Sequence, residues 1–274
     1  MSEKPWMATI LTTSEVLPTR EGVFREMNAV PGYETVDFEW VAEELDKIVF
    51  RTPAATLAIS LPVEEIVPKS DLQNACRRAW HWAEAAMEVQ KETRQLVVAV
   101  MPNGNSLDQV DVALLLTCLT IAVLKNTEGV AVYWNHSGML HAPKEFVAHA
   151  EGMNRRTLPV ELWVDFRIIP NTDGTISLGT WGLETFALNE LEVSRSQQDV
   201  RWMLRWMFNL SHFLLENGPI LEDGHTFGPS EEEKFTLTFA SSAPEMLRED
   251  NRQVFRIHFE PIPDDSPSPP SEES

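Results

Sequence analysis

The chain has 274 residues, 43% of them apolar and 23% charged, which is enough apolar side chain for one large core or two modest ones and excludes disorder throughout. Forty-two Asp and Glu against 22 Lys and Arg leave a formal charge of −20. A surface this acidic repels a phosphate backbone, which nucleic-acid-binding proteins neutralise with cations, so no nucleic-acid partner is expected.

The first residues, Met1-Ser2-Glu3-Lys4-Pro5-Trp6-Met7, carry both charge signs and a proline ahead of any apolar run, unlike an export signal. A cytoplasmic protein is expected. A β-prone segment at Ala8–Thr12 comes first, and the Pro18 segment after it predicts a brief helix; the acidic stretch around Val36–Leu45 has no legible period. Ile48–Phe50 and Thr56–Leu61 read as a hairpin about a turn containing Pro53.

Three serines then stand where helices are expected to start, each followed three residues later by a polar side chain that can close a capping box: Ser70, Ser106 and Ser196. The first predicts one helix to about Glu92, with an apolar stripe of Leu72, Ala75, Cys76, Ala79, Trp80, Ala83 and Met87. The second leads into Val112–Leu124, which at thirteen uncharged residues falls short of the roughly 18–20 needed to span a bilayer. A buried core helix is expected there, and no membrane contact. Cys76 and Cys118 both fall in these apolar helical contexts, where a reduced thiol is a small hydrophobe, so no disulfide is invoked. The third serine opens Val200–Glu216, stopped by Asn217-Gly218-Pro219.

Leu96–Met101 and Val130–Trp134 are too short and β-branched for helix, so the first half reads strand, helix, strand, helix, strand. The second half is rich in hairpins. Leu162–Ile169 and Ile176–Trp181 flank the Asp173-Gly174 turn, and Leu188–Val193, Phe235–Phe239 and Val254–Phe259 are further strands. Ser230–Glu233 is read as loop. The expected fold is therefore α+β, with mixed or antiparallel sheets and helices packed on them. Residues 1–259 form a single domain on this reading, with possible lobes at 1–150 and 151–259, and 260–274 form a disordered acidic Pro/Ser tail. The tail carries five acids and no base, which leaves −15 on residues 1–259.

Phosphate loops, dinucleotide fingerprints, zinc-protease, serine-hydrolase and paired-cysteine motifs are all absent, and no cofactor is expected. Four groups of residues carry candidate chemistry. His136 and His141, in a loop after a strand, can meet a divalent metal, but no local carboxylate supplies a third ligand, so a plain polar loop is the competing reading. Strand alternation puts Asp165 and Arg167 on one face and Glu190 and Glu192 on one face. If these strands are neighbours, the carboxylates form a patch suited to metal-dependent or general-acid chemistry, against which stands a cross-strand salt-bridge array. His225, in Asp223-Gly224-His225-Thr226-Phe227-Gly228, sits in a glycine-rich loop of the kind that holds a catalytic imidazole or merely turns a corner. Trp202 and Trp206 share one helix face, which favours core over an exposed partner anchor.

Several stretches taken together resemble an uncharacterised bacterial family known only as a domain of unknown function. They are Ala58-Ile59-Ser60-Leu61-Pro62, Val130–Trp134 with His141 and Pro143, Leu162-Trp163-Val164-Asp165-Phe166, Thr180–Phe186 running into Glu190-Leu191-Glu192, and Asp223–Gly228. The resemblance spans roughly Ala8 to Phe259 and implies a bacterial cytoplasmic protein without implying a reaction. It also implies Gly where this chain has Ala187, and often an acid where it has His225, which argues against a catalytic histidine. The expectation is a non-catalytic interaction module, an immunity-like or adaptor partner of a basic protein. The alternative is a metal-dependent hydrolase or nuclease-like enzyme using Asp165, Glu190 and Glu192, with His225.

Overall fold

The computed structural model describes residues 5–29, 39–44, 46–104, 106–228, 234–248 and 252–259. The expected tail and the Ser230–Glu233 loop lie outside them, as do residues 36–38 and 45 of the unreadable acidic stretch. Within that stretch, residues 39–44 form a strand.

In chain order the elements are β1 (Trp6–Thr12), α1 (Arg20–Asn28), β2 (Glu39–Glu44), β3 (Lys47–Arg51), β4 (Ala55–Ser60), α2 (Lys69–Arg78), α3 (Ala85–Val89), β5 (Arg94–Pro102), α4 (Gln109–Leu124), β6 (Gly129–Trp134) and β7 (Met139–His141). After these come α5 (Pro143–His149), α6 (Val160–Trp163), β8 (Asp165–Pro170), β9 (Ile176–Trp181), β10 (Leu191–Ser196), α7 (Val200–Asn217), β11 (Thr226–Phe227), β12 (Phe235–Ser241) and β13 (Gln253–His258). The fold is α+β.

The first eleven elements build a seven-stranded sheet in the order β2-β3-β4-β5-β1-β6-β7. Every pairing in it is antiparallel, because β1 lies between β5 and β6 and runs opposite to both. Period-2 alternation divides its side chains between two layers. Ile10, Val98, Val100 and Val132 join the core that contains α4, whereas Leu11, Ala131 and Tyr133 pack under α2 and α3. Helix α4 is buried on almost its whole circumference. Its internal hydroxyls are satisfied by the preceding turn, Thr117 Oγ1 donating to the Ala113 carbonyl and Thr120 Oγ1 to that of Leu116, both at 2.7 Å. No helix among the described residues is long and apolar enough to cross a membrane.

Three expectations need correction here. The helix from Ser70 stops at Arg78 rather than Glu92, and only Ala85–Val89 resumes it. The chain breaks so that Trp82 enters the layer beneath, leaving Trp80 and Met87, both expected in the stripe, 62% and 57% exposed. None of the three serines is the N-cap. Asp108 and Asp199 cap α4 and α7, accepting the Asp111 and Trp202 N–H groups at 2.9 Å, while α2 follows Pro68 with no side-chain cap. Finally, Leu162 and Trp163 are helical, so the strand begins at Asp165. Burial drives that change, because Leu162, Trp163 and Val164 are all fully buried and no half-exposed strand accommodates three such neighbours.

The second sheet is ordered β11-β12-β13-β10-β9-β8, antiparallel except where β10 meets β13. Helix α7 covers one face. Its Trp202 and Trp206 rings pack edge-on to Phe235 at 5.2 and 5.0 Å, and Trp202 also meets Phe259, so the pair is core. One apolar cluster runs from Trp6 and Ile10 in the first sheet through α4 to Val193 and Phe255 in the second. Cys76 and Cys118 are not joined.

Candidate functional site

The face of the second sheet away from α7 carries the carboxylates singled out in the sequence. Strand β9 separates β8 from β10, with Asp165 opposite Trp181, and Arg167 opposite Gly179, which is itself opposite Glu192. Asp165, Arg167 and Glu192 therefore share a face, as alternation requires. They are two strand spacings apart across β9, about 10 Å. Gly179 makes room between them: a Cβ there would stand 2.9 Å from the Trp181 ring.

Each carboxylate is tied into the structure. Asp165 is 4% exposed and accepts Arg167 Nε at 2.7 Å, with Arg78 Nε at 3.6 Å. Glu192 is fully buried and accepts Ser242 Oγ at 2.5 Å, the Ala243 N–H at 2.9 Å and Arg248 Nε at 2.8 Å. Glu190 takes three uncharged donors: Thr180 Oγ1 at 2.7 Å, and the Gly182 and Glu184 N–H groups at 2.8 and 3.2 Å. Burial pushes its carboxyl above the ordinary range, against the pull of those hydrogen bonds. The Thr180-Trp181-Gly182-Leu183-Glu184 sequence thus has a structural meaning: it is a turn that hooks onto Glu190. Gly182 adopts φ 120°, and a Cβ there would stand 2.6 Å from the Trp163 carbonyl oxygen.

His136 and His141 do not converge, and His141 is the last residue of β7, paired with Val132, rather than part of a loop. His136 accepts the Met7 N–H at Nε2 (3.1 Å) and stacks 4.5 Å from Trp6, and burial lowers its pKa to about 4. His141 bonds the Leu162 carbonyl through Nε2 (3.2 Å) and faces Phe146, and burial lowers its pKa to about 3. His225 is exposed at the end of the second sheet, accepting the Glu222 N–H at Nδ1, while Asp223 caps the Phe239 N–H. It joins neither the carboxylates nor the other histidines. Among the described residues no three His, Cys, Asp or Glu are grouped to hold a metal ion.

What the structure does bring together is a cleft of about 350 Å³, whose lining includes His136, Arg167, Trp181, Glu190, Arg248 and Arg252. The Arg167 and Arg248 guanidiniums both lie over the Trp181 ring, at 3.8 and 3.9 Å from its centroid. Sequence reading missed Arg248, which reaches Glu192 and the Thr180 carbonyl from 56 and 68 residues away. No local pattern signals a pairing of that span.

Residues 179–258 match the model of a domain of unknown function, DUF4261. No curated protein and no solved structure matches the chain. The DUF4261 segment runs from within β9 to the end of β13 and contains the Glu190 hook, Glu192 and Arg248. The first sheet, His136 and β8 with Asp165 and Arg167 lie outside it.

Proposed function

We propose that this bacterial cytoplasmic protein is a non-catalytic interaction module, an immunity-like or adaptor partner of a basic protein. The observation that carries this reading is a rim at the end of the seven-stranded sheet where exposed aliphatic side chains sit among acids. Val63 is 93% exposed, Val16 69% and Ile66 42%. Glu15, Glu64 and Glu65 flank them in sequence, and all three are exposed. Arg94 holds the two loops together, its guanidinium meeting Glu15 at 3.6 Å and donating to the Leu61 and Pro62 carbonyls at 3.0 and 3.1 Å. Apolar groups among acids, of which Glu15 and Glu65 are paired with Arg94 and Lys69 and Glu64 is exposed, suit a basic partner, since the apolar contacts supply affinity and the charges steer the approach. Crowding of acids at this end is also felt by Glu92, whose carboxyl is raised mainly by burial and further by Glu65.

Metal-dependent hydrolysis by Asp165, Glu190 and Glu192 has less support, because their oxygens are engaged by arginines, a threonine, a serine and backbone N–H groups. The test is affinity capture from a bacterial lysate by the wild type, by a Glu15→Lys/Glu64→Lys/Glu65→Lys variant and by Val63→Asp. A basic protein is expected to be retained by the wild type and lost both in the variants and at several-fold higher salt. Capture of no basic protein, or capture indifferent to both changes, would overturn the reading.

A further inference from the structure

We propose that the cleft over Trp181 binds the phosphate group of a small phosphate monoester. The site is distinct from the rim described above. His136 accepts the N–H of Met7 at the start of β1, whereas Glu15 follows its end, so the two lie about 20 Å apart along the strand.

Two guanidiniums are held ready. Arg167 is fixed through Nε by Asp165, and among the described residues its only other hydrogen bond is a long one of 3.5 Å from Nη2 to the Ser137 carbonyl. Arg248 is fixed through Nε by Glu192 and through Nη2 by the Thr180 carbonyl at 2.7 Å. In each, Nη1 has no acceptor among the described residues, so a donor edge remains after the anchoring is complete. Trp181 holds both planes, which removes the side-chain disorder that an anion would otherwise have to quench. Arg252, paired with Glu184, adds a third guanidinium to the lining. His136 adds a neutral donor. Its Nε2 accepts from Met7, so its proton is on Nδ1, where no group among the described residues accepts it.

Among the described residues the cluster is also short of carboxylate. Arg78 and Arg167 share the single carboxylate of Asp165, and among the described residues the buried Nε of Arg78 has no hydrogen-bond partner. The Ser137 hydroxyl beside them is likewise unpartnered, in a residue only 5% exposed. Opposing carboxylates are present: Glu192 and Glu184 each balance one arginine, and Glu190 is occupied by neutral donors. Arg167 is pulled below the ordinary arginine range by burial, with Arg78 and Arg248 adding like-charge repulsion. An anion between them relieves that repulsion.

Phosphate fits better than carboxylate because open guanidinium edges come from two residues, Arg167 and Arg248. One bidentate arginine already satisfies a carboxylate, whereas a phosphate monoester has three terminal oxygens to share. A volume of about 350 Å³ is several times what a phosphate group fills, at ~30 Å³ for each water displaced, so the ligand carries an organic portion as well. The chain's overall charge of −20 does not forbid this. Beyond about 8–10 Å its field is screened, and within the cleft the nearby arginines dominate. A polyanion, reaching past that distance, is still repelled.

Isothermal titration of the full chain in phosphate-free buffer decides the matter, with inorganic phosphate, ribose 5-phosphate, ribose and citrate as probes. Ribose 5-phosphate is expected to bind saturably with a Kd below about 1 mM, more tightly than phosphate, while ribose gives no heat. Arg252→Ala, at a half-exposed position, and Arg167→Lys, which keeps the charge but loses the fork, are each expected to weaken binding about tenfold. Circular dichroism establishes that each variant is folded, and if Arg167→Lys is not, Arg252→Ala decides alone. No saturable binding of either phosphate overturns the proposal. So does binding unchanged in folded variants, or binding of citrate in preference to ribose 5-phosphate.

Discussion

Ala187 adopts a left-handed backbone, φ 58°, closing the turn that presents Glu190. For a residue with a Cβ that conformation costs about 1–2 kcal/mol, and glycine removes the cost while losing some unfolded-state restriction. Ala187→Gly is expected to raise stability by about 0.5–1 kcal/mol, read as a higher urea midpoint at unchanged slope. His136 and His141 act in the opposite direction as pH falls. Folded, His136 and His141 take up protons only near pH 4 and pH 3, whereas unfolded they do so near 6.5. Between these limits the unfolded chain binds more protons, so their stabilisation is complete above pH 6.5 and declines on acidification, by about 1.4 kcal/mol per pH unit for each. Urea unfolding from pH 7 to pH 4.5 tests this. His141→Gln is expected to flatten the profile by about that slope, and an unchanged profile would show that the buried imidazole does not contribute.

At the scale of elements, period-2 alternation was the most informative signal. Ile176–Trp181 is a strand over the residues it marked, and Asp165, Arg167 and Glu192 share a face for the same reason. Alternation cannot say which strands are neighbours, however, and β9 with Gly179 and Trp181 came between the carboxylates. The starts of α4 and α7 were displaced because serine and aspartate compete for the same cap, and an ionised acceptor at a helix N-terminus is the stronger. Asp199→Ala is expected to cost about 1 kcal/mol, whereas Ser196→Ala, which loses only a local bond of 3.2 Å to the Gln198 N–H, is expected to cost less than half of that in thermal denaturation. Apolar spacing alone would also have run Trp80 and Met87 into the core. The break at Ala79 reflects Trp82 filling the layer under β6 and β7, where Tyr133 and Leu140 lie.

For the whole molecule, charge and local pattern led towards a protein partner, while the cleft became visible only in three dimensions. Its arginines come from β8 and from the segment between β12 and β13, its histidine from the turn after β6, and its central tryptophan from β9. Sequence order scatters these residues from 136 to 252. The charge total hides them as well, since each arginine is offset by an acid elsewhere in the count. Acidic rim and basic cleft thus occupy opposite ends of β1, so the two proposals can be tested without interference.

The order of strands has a consequence for how the protein is made. The seven-stranded sheet draws on nothing beyond His141, but the six-stranded sheet places β13 in its interior, against β10. Glu192 meets Arg248 only when that last stretch of chain is present. Synthesis proceeds at about 5–20 residues per second, so on the order of ten seconds separate the two sheets during translation. For the later part of that interval β9 and β10 are made but β13 is not, and Glu192 has neither Ser242 nor Arg248 to pair with. A ribosome stalled after β10 would therefore display that acid, and the core face of β10, without the strand that covers them, the state in which a chaperone has most to protect.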